Sequence, residues 1–547
     1  MTNSKPANHV DVAIVGGGVA GTYCAWLLGV KKQQEAAQKR LGNVHLFEMS
    51  DRIGGRLLSV PVPGFSDTCV ELGGMRYSSK HRLVNKLVGE LDLAPTRFQA
   101  VQRQNIAYLR GRVLRRRDLS YPDSIPYGLL PDERAVSVLK DEWRGLIRRA
   151  AERIWQYVLE EKRDLTKEID WNDWNRLANA KYGPYLLEDL PLRALLQRHI
   201  SAEALRFAED ASGYNSMLTT WNGFDGLRWN VAGLAEQKYF RVEQGFQRLP
   251  VMMHDAFREP IGKNAARVHM KHTLKTVSLS EEGDEPLIRM EFAAGPKVYF
   301  ARHLILAMPR HALEQLAIPV PRFESVWEAI ETVTPIPLFK LALCYPFPWW
   351  ETIEAEGARR NRLRPIRKGQ SVTDLPVRQC YYWKVDPETQ NAVVLLYDDG
   401  RDRDYWEGLL EEGLLNPDHT GGGVAGEFST FPKGASLPAL VIEAHRQLVE
   451  MHGVGNRLDI PEPHAAAYQD WKKAPYGGGA NFWHLQVSSG EVSKKMIRPI
   501  AGVNIYVCGE AYSRDHQGWV EGALETAEKV VECVLSGSPP NPPAASA

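Results

Sequence analysis

Arg76 is a residue whose type and position call for a chemical partner. It stands in the stretch ELGGMRYSSKHRLV, residues 71 to 84, directly after two glycines and a methionine. Arg76 lies in no run of charged residues and on no polar helix face, so exposure to solvent alone does not explain why a guanidinium stands at this position. A planar guanidinium binds a carboxylate or a phosphate through parallel hydrogen bonds. The stretch therefore predicts an anion at Arg76, which is a bound carboxylate, a cofactor phosphate or the side chain of Glu71.

A glycine-rich turn near residue 16 predicts a dinucleotide site. In VDVAIVGGGVAGTYCAWLL, residues 10 to 28, a valine-rich strand pattern leads into Gly16, Gly18 and Gly21 and then into a helical pattern. Gly16 permits the turn, Gly18 lets backbone N–H groups approach a pyrophosphate, and Gly21 lets the helix pack closely on the strand. The N-terminus of such a helix also attracts negative charge.

Glu48 ends the next strand pattern, NVHLFEMSD, and is placed to accept hydrogen bonds from the ribose of an adenosine. It lies later than the usual spacing of about 20 residues beyond the glycines. The charged stretch GVKKQQEAAQKRLGN, residues 29–43, lengthens the intervening segment and accounts for the delay. Up to this point NAD and FAD fit equally well.

A second glycine pair distinguishes between NAD and FAD as the cofactor. In DRIGGRLLSV, residues 51 to 60, Gly54 and Gly55 precede Arg56, which offers a cation and N–H groups to the same pyrophosphate. This double motif resembles the flavin-dependent amine oxidases. The resemblance implies an enzyme that holds FAD in a Rossmann-like α/β domain, and it continues over nearly the whole chain.

Further segments carry the resemblance through the FAD-binding part. They are FRVEQGFQRLPVMM (240–253), ARVHMKHTLKTVSL (266–279), YFARHLILAMPR (299–310) and NIYVCGEAYSRDHQGWVEGALETAEKVVECVL (504–535). The resemblance implies that Leu274 contacts adenine through its backbone. It also implies that a helix starting near Gly518 directs its dipole at the flavin ring, which favours the reduced, anionic flavin. The residues it places at the FAD are Gly16, Gly18, Val19, Ala20, Gly21, Glu48, Met49, Arg56, Gly73, Gly74, Met75, Arg76, Leu274, Glu510, Gly518, Trp519, Val520 and Ala523.

Within that family, the segment around Arg76 is similar to the L-amino-acid oxidases, which implies that Arg76 clamps a substrate carboxylate. Tyr397 in AVVLLYDDG matches a tyrosine that shares this carboxylate. Lys340, alone in the apolar strand pattern TPIPLFKLALCY, matches a lysine that holds a water against flavin N5. Trp519 would form a wall beside the reacting Cα, and Gly518 would offer its carbonyl to the substrate amine. Lys340 and Trp519 are therefore the expected catalytic residues.

The segment KAPYGGGANFWHL, residues 473 to 485, departs from the family pattern. Gly479 stands where monoamine oxidases carry a flavin-linking cysteine, so the FAD is expected to be bound non-covalently. Gly479 and Ala480 are also smaller than the residues that relatives place against the substrate side chain. This difference predicts a wider pocket suited to large amino acids. No residue in the stretch 212–230 is assigned to the side-chain end of the pocket.

The length of 547 residues predicts more than one packed domain. The expected fold class is α/β with an amine-oxidase or glutathione-reductase-like architecture, in which a Rossmann-like FAD domain joins an α+β, mixed-sheet substrate domain and a helical domain. The expected division is 8–57, 243–315 and 498–537 for the FAD-binding domain, 58–118 and 325–497 for the substrate-binding domain, 119–236 for the helical domain and 538–547 for a disordered tail. The helical domain is expected to open with one helical pattern formed by Leu139, Trp143, Leu146, Ile147, Ile154 and Val158.

Charge and composition limit the partners. Lys plus Arg and Asp plus Glu both number 67, which gives no net basicity for nucleic acid or for an anionic membrane. The basic run RGRVLRRRD, residues 110 to 118, is interpreted as a charged hairpin that turns at Arg110 and Gly111. No apolar run is long enough for a membrane helix, and the first residues show no signal-peptide pattern, so a cytoplasmic location is expected.

Cysteine spacing and the chemistry of the family complete the expectations. The six cysteines form no C-x-x-C pair, which favours buried thiols over a zinc site, and no metal constellation is found. Resemblance alone suggests a homo-oligomer, either a dimer or a tetramer. The expected reaction converts an L-amino acid and dioxygen into a 2-oxo acid, ammonia and hydrogen peroxide. The alternatives are an amino-acid 2-monooxygenase, a simple amine or polyamine oxidase, and a flavin-binding module without activity.

Overall fold

The computed structural model describes residues 8–31, 42–167, 169–218, 221–234, 238–259, 267–280, 287–293, 297–320, 323–352, 366–415, 425–454 and 460–537. The tail 538–547 and parts of the charged stretch 29–43 lie outside these residues.

A parallel sheet forms the centre of the predicted dinucleotide-binding part. Its strands are, in spatial order, Arg267–His269, Val44–Phe47, His9–Val15, Lys297–Leu306 and Ile505–Val507. Leu274–Ser280 and Leu287–Phe292 extend the sheet in antiparallel fashion along the first half of Lys297–Leu306. The first two strands of the chain are buried almost throughout, as expected for parallel strands covered on both faces.

The glycine turn after His9–Val15 has the close approaches that the sequence predicts. Gly16 adopts a φ of +117°, and a Cβ there would lie 2.3 Å from the carbonyl oxygen of Ala307. A Cβ at Gly21 would lie 1.8 Å from the carbonyl oxygen of Gly16. Only glycine fits both places, so helix Val19–Trp26 can start directly beneath the turn.

A mixed sheet forms the predicted substrate-binding part. Its strands are, in spatial order, Ser429–Thr430, Ala465–Asp470, Leu338–Tyr345, Ala392–Asp399, Gln379–Val385, Gly369–Thr373, Ile106–Leu109 and Arg112–Arg115. All neighbours are antiparallel except the pair formed by Gly369–Thr373 and Ile106–Leu109, which is parallel. The last two strands form a hairpin whose turn residues, Arg110 and Gly111, have φ values of +50° and +72°. The prediction of a hairpin in the basic run is confirmed.

Smaller sheets connect these parts. Ser59–Pro61 pairs with Cys69–Glu71, Tyr239–Val242 pairs with Tyr77–Ser78 and with Pro95–Phe98, Val333–Ile336 pairs with Ala480–Trp483, and Lys181–Tyr182 pairs with Tyr185–Leu186.

The α-helices outside the helical part are Val19–Trp26, Arg82–Glu90, Arg248–Arg258, Arg310–Glu314, Glu324–Ile330, Trp349–Thr352, Arg403–Leu415, Ala439–Met451, Ser489–Ile497 and Val520–Ser536.

The helical part begins with two helices where the sequence pattern predicts one. Val136–Leu139 and Trp143–Leu159 are separate, and Glu142 between them has a φ of +55°. A Cβ at Gly145 would lie 1.7 Å from the carbonyl oxygen of Val138, so the second helix packs against the first instead of continuing it. The expected single pattern from Leu139 to Val158 is therefore wrong at its first residue. The other helices here are Trp171–Ala178, Leu192–Gln197, Ala202–Ser212 and Gly223–Leu234.

The placement of these elements agrees with the expected fold class, while the three-domain division stays a prediction. Within the described residues, no helix combines the length and the apolar composition of a membrane span. Nor do three or more His, Cys, Asp or Glu side chains of the described residues converge as metal ligands. All six cysteines are free thiols.

Gly21→Ala tests the contact between helix and turn. The added methyl group has no space against the Gly16 carbonyl, so we expect the free energy of unfolding to fall by about 1–3 kcal/mol or more. The thermal unfolding midpoint should be lower, and the flavin absorbance should be lost. Gly89→Ala is the matched control, since a Cβ there meets nothing within 4 Å and alanine favours helix Arg82–Glu90 by about 1 kcal/mol. Equal midpoints and equal flavin content in both variants would contradict the predicted role of the close approach.

Candidate active site

One cavity of about 610 Å³ extends from the glycine turns to Arg76. The predicted site residues that line it are Gly16, Gly18, Val19, Ala20, Glu48, Met49, Arg56, Gly73, Gly74, Met75, Arg76, Leu274, Lys340, Tyr397, Gly479, Ala480, Glu510, Gly518, Trp519, Val520 and Ala523. Gly21 packs beneath the turn instead, in the role that its spacing predicts. The structure thus brings together residues from Gly16 to Ala523, which lie near opposite ends of the sequence.

The two glycine motifs meet at one end of the cavity. Gly18 and Gly54 form a parallel bridge, and the N–H of Gly54 donates to the carbonyl of Gly17 over 2.9 Å. Helix Val19–Trp26 starts here without a side-chain cap and without an acidic residue in its first turn. Its free N–H groups and the absence of Cβ atoms provide space and positive potential for a pyrophosphate.

Glu48 is held at the next position along the cavity. One carboxylate oxygen accepts the Gly17 N–H over 2.6 Å, and the other accepts the N–H and hydroxyl of Ser50 over 2.8 and 2.7 Å. The backbone N–H of His272 donates to the Glu48 carbonyl over 2.8 Å, which brings Leu274 to the same end of the cavity. This arrangement fits the ribose and adenine of a dinucleotide.

Arg56 forms an ion pair that the sequence did not predict. Its Nη1 donates to Glu510 over 2.5 Å and to the carbonyl of Gly479 over 3.2 Å. The other oxygen of Glu510 accepts the N–H of Gly518 over 2.8 Å. Glu510 therefore connects the second glycine motif to the Gly518 turn, and contact between Arg56 and the pyrophosphate stays a prediction.

The last helix begins where the sequence predicts. Gly518 has a φ of +76°, and helix Val520–Ser536 follows Trp519 without a side-chain cap. Within the described chain, no N–H donates to the Gly518 carbonyl. The uncapped N-terminus and this carbonyl both lie at the cavity, where they can stabilise negative charge and accept a hydrogen bond, respectively.

Arg76 has polar and aromatic neighbours but no acidic partner among the described residues. Its Nη2 donates to the hydroxyl of Tyr214 over 3.0 Å, and its guanidinium carbon lies 4.8 and 5.5 Å from the ring centres of Tyr239 and Phe98. The Glu71 carboxylate is occupied elsewhere, since it accepts the Ser59 hydroxyl and the Phe246 N–H over 2.8 and 2.7 Å. An ion pair with Glu71 is therefore excluded.

Tyr214 is a site residue that the sequence reasoning missed. Its ring packs edge to face against Tyr397, with ring centres 5.6 Å apart. The following residues are fixed from the mixed sheet, because the buried Asp399 accepts the Asn215 N–H over 2.8 Å and the hydroxyl of Ser216. No local pattern in 212–230 announces these contacts, since they depend on a partner nearly 200 positions away.

Lys340 is buried beside Arg76 and faces Tyr397 across the strand pair. Its Nζ donates to the carbonyls of Glu71 and Gly73 over 3.0 and 2.5 Å. An ammonium has three donors, so one N–H remains for the cavity, as the expected water contact requires. Burial lowers the pKa of Lys340 to about 7 and raises the pKa of the Glu71 carboxyl to about 7.

Trp519, Gly479 and Ala480 lie at the cavity as predicted. The Trp519 ring packs edge to face on His81 with ring centres 4.8 Å apart. A Cβ at Gly479 would lie 2.2 Å from the side chain of Leu338, which itself lines the cavity. Leu338 thus occupies the space that a side chain at 479 would need, and the widening of the pocket by Gly479 stays a prediction.

Residues 19–416 and 433–535 match the family described as flavin containing amine oxidoreductase. The chain belongs to this family. It is an FAD-dependent oxidoreductase, and the glycine turns, Glu48 and the uncapped helix fit that cofactor.

Three relatives of this amine oxidoreductase match most of its length. Achacin of Lissachatina fulica is 27% identical over 96% of this chain and 93% of its own length. Aplysianin-A of Aplysia kurodai is 26% identical over 98% of this chain and 92% of its own length. The L-amino-acid oxidase of Crotalus adamanteus is 22% identical over 74% of this chain and 69% of its own length.

Solved amine oxidases share the fold. A putrescine oxidase bound to putrescine superimposes with a TM-score of 0.63 at 16% identity, covering 97% of this chain and all of that chain. This match confirms the expected amine-oxidase architecture, in which an α/β cofactor domain and a mixed sheet enclose the cavity.

Tyr214→Phe tests whether the Tyr214 hydroxyl supports Arg76. Because the Tyr214 hydroxyl bonds Arg76 and not the ligand, its loss is expected to cost about 1 kcal/mol of binding free energy and to weaken the binding of benzoate, a small carboxylate, by roughly 3- to 10-fold. Binding is measured by the change in flavin absorbance. The control is Tyr182→Phe, which removes a hydroxyl that lies 3.0 Å from His199 in the helical part, away from the cavity. Equal benzoate affinity in both variants would show that Tyr214 does not orient Arg76.

Carboxylate binding is expected to weaken as the pH rises through about 7, where Lys340 and Glu71 together lose positive charge beside Arg76. Below that pH the lysine is protonated and Glu71 is neutral, so an anion binds best there. In Lys340→Met, Glu71 lacks the nearby cation and stays neutral to a higher pH, so benzoate affinity should be lower and nearly independent of pH around neutrality. An unchanged pH dependence in the variant would assign it to another group.

Proposed function

We propose that the chain is an L-amino-acid oxidase, which deaminates L-amino acids oxidatively to 2-oxo acids with release of ammonia and hydrogen peroxide. The observation that carries this proposal is the Arg76 guanidinium, which lines the cofactor cavity and has no carboxylate of the described chain within 4 Å. An amine substrate without a carboxylate would leave this charge unmatched. An α-carboxylate would match it through two parallel hydrogen bonds.

The same residues explain the orientation of the substrate. Arg76 binds the carboxylate, and the hydroxyl of Tyr397, on strand Ala392–Asp399, shares it. The Gly518 carbonyl accepts a hydrogen bond from the neutral amine, and the Trp519 ring forms the wall beside Cα. Three fixed points around a tetrahedral carbon distinguish L from D substrates and direct the Cα–H bond toward the cofactor.

When bound, FAD would supply the two-electron acceptor for the hydride from Cα, with dioxygen as the final oxidant. The protein contributes position and charge. The helix N-terminus at Val520 stabilises negative charge at the cofactor, and the remaining N–H of Lys340 holds a water at the cavity. The imino acid leaves and is hydrolysed to the 2-oxo acid and ammonia.

The FAD is proposed to be bound non-covalently. Gly479 stands where a linking cysteine would be, and none of the six cysteines lines the cavity. Acid precipitation should therefore leave the flavin in the supernatant, and a yellow pellet would show a covalent link. Self-association and a cytoplasmic location stay predictions from the sequence.

Anaerobic titration with L- and D-amino acids tests the function. L-amino acids, both neutral and acidic, should bleach the flavin, and readmitted air should yield peroxide and ammonia in equal amounts. An amide and carbon dioxide as products would indicate a 2-monooxygenase. Bleaching by simple amines alone would indicate an amine oxidase.

Arg76→Met tests the clamp. We expect the second-order rate constant for flavin reduction by L-leucine to fall on the order of 100-fold or more, because the substrate carboxylate loses its buried partner. The rate with 3-methylbutylamine, which lacks the carboxylate, should not fall. The matched control is Arg241→Met, which removes another guanidinium that lies over an aromatic ring, 5.3 Å from Trp383, outside the cavity. Equal losses for both substrates would contradict the clamp.

A further inference from the structure

A second arginine without an acidic partner lines the same cavity. Arg56, Arg76 and Arg144 are the arginines among its described lining residues. Arg56 is paired with Glu510 over 2.5 Å. Arg144 stands at the second position of helix Trp143–Leu159, and its guanidinium carbon lies 4.8 Å from the centre of the Trp143 ring. Within the described chain, no hydrogen bond and no ion pair engages the Arg144 guanidinium.

The nearest acidic side chain is already occupied. Glu142 precedes the helix, and its carboxylate accepts a hydrogen bond from the buried Arg116 over 2.8 Å. The first turn of the helix contains no acidic residue, and no side chain caps it. Asp399, the acidic residue of the mixed sheet at this end of the cavity, is held by the loop that follows Tyr214. Among the described residues, no carboxylate therefore forms an ion pair or a hydrogen bond with Arg144.

The cost of this arrangement points to an anionic ligand. Partial burial and the like charge of Arg116 lower the pKa of Arg144, although the neighbouring Glu142 acts in the opposite direction. A guanidinium stays protonated at neutral pH nonetheless. A desolvated charge is stabilised only by an opposite charge or by hydrogen bonds. The aromatic face of Trp143 meets this need only in part.

Arg144 and Arg76 share their surroundings. Tyr214 and Tyr239 line the same cavity, and both raise the pKa of each of the two guanidinium groups. An α-carboxylate can pair with Arg76 but not also with Arg144, because its two oxygens would accept hydrogen bonds from Arg76 and Tyr397. A second anionic group on the same ligand is required to satisfy Arg144.

We propose that the site prefers L-amino acids with an acidic side chain to those with a neutral one, and that Arg144 binds the side-chain carboxylate while Arg76 binds the α-carboxylate. This inference rests on the proposed oxidase function. A substrate with a neutral side chain leaves Arg144 unmatched, and one with a basic side chain adds like-charge repulsion. Arg144 is thus a determinant of specificity that the sequence reasoning did not find.

The test compares isosteric substrates that differ only in charge. The FAD-loaded protein is assayed with L-glutamate against L-glutamine and with L-aspartate against L-asparagine, and kcat/KM is measured for each. A charge-assisted bidentate contact predicts a preference of roughly 10- to 100-fold for the acid of at least one pair. Arg144→Gln should remove this preference. Lys140→Gln, which removes one positive charge from an exposed residue four positions earlier, should leave it unchanged.

A binding measurement gives a readout that does not depend on turnover. Glutarate and its monoamide have no amine and cannot be oxidised as amino acids. Their dissociation constants are measured from the flavin absorbance change in the wild type, in Arg144→Gln and in Arg144→Lys. Glutarate should bind more tightly than the monoamide in the wild type, equally in Arg144→Gln, and with intermediate preference in Arg144→Lys, which keeps the charge and loses the fork.

Each outcome assigns a failure to one of the two proposals. If L-leucine and L-glutamine bleach the flavin as efficiently as L-glutamate, the oxidase stands and acidic specificity is overturned. If Arg144→Gln weakens acid and amide equally, Arg144 acts on the α-carboxylate and the inference is again overturned. If no L-amino acid bleaches the flavin, the proposed function fails, and the two glutarate ligands then decide whether Arg144 binds a second carboxylate.

Discussion

A guanidinium held in a cavity needs neighbours that stabilise its charge before any ligand arrives. At Arg76 these are the hydroxyl of Tyr214 and the faces of Tyr239 and Phe98, all of which stabilise a cation without neutralising it. An acidic neighbour would have been more stabilising, yet it would have competed with an incoming carboxylate. The rest of the site follows from this compromise, because each nearby carboxylate is engaged elsewhere: Glu71 by Ser59 and Phe246, and Asp399 by the loop after Tyr214.

The cofactor end and the substrate end are linked by Glu510. Its two oxygens hold Arg56 from the second glycine motif and the Gly518 N–H from the last turn, and Asn481 donates to it over 2.7 Å. A single buried carboxylate thereby fixes the position of the Gly518 carbonyl relative to the glycine turns. Since Gly518 is the proposed acceptor for the substrate amine, the proposed orientation of the substrate depends on a contact that also holds Arg56 of the second glycine motif.

Sequence reasoning succeeded where local chemistry determines the structure. The close approach at Gly21 follows from spacing alone, and the hairpin at Arg110 and Gly111 follows from turn residues between two strand patterns. It failed where the structure depends on contacts between residues that are far apart in the sequence. The helix pattern from Leu139 onward is broken because Gly145 lets two helices pack together, which periodicity does not encode. Tyr214 reaches the site through Asp399, a contact between segments far apart in the chain.

The net charge of the chain does not predict the charge at the cavity. The chain carries 67 basic and 67 acidic residues, and from this balance the composition argues only against polyanionic partners. The cavity is nevertheless cationic at its substrate end, because the acidic residues nearest to Arg76 and Arg144 are bound by Ser59, Phe246 and Arg116. A net charge of zero therefore says nothing about the charge that a small ligand meets. What selects the ligand is which carboxylates the fold has already satisfied, and that is a property of pairs of residues that only the folded chain brings together.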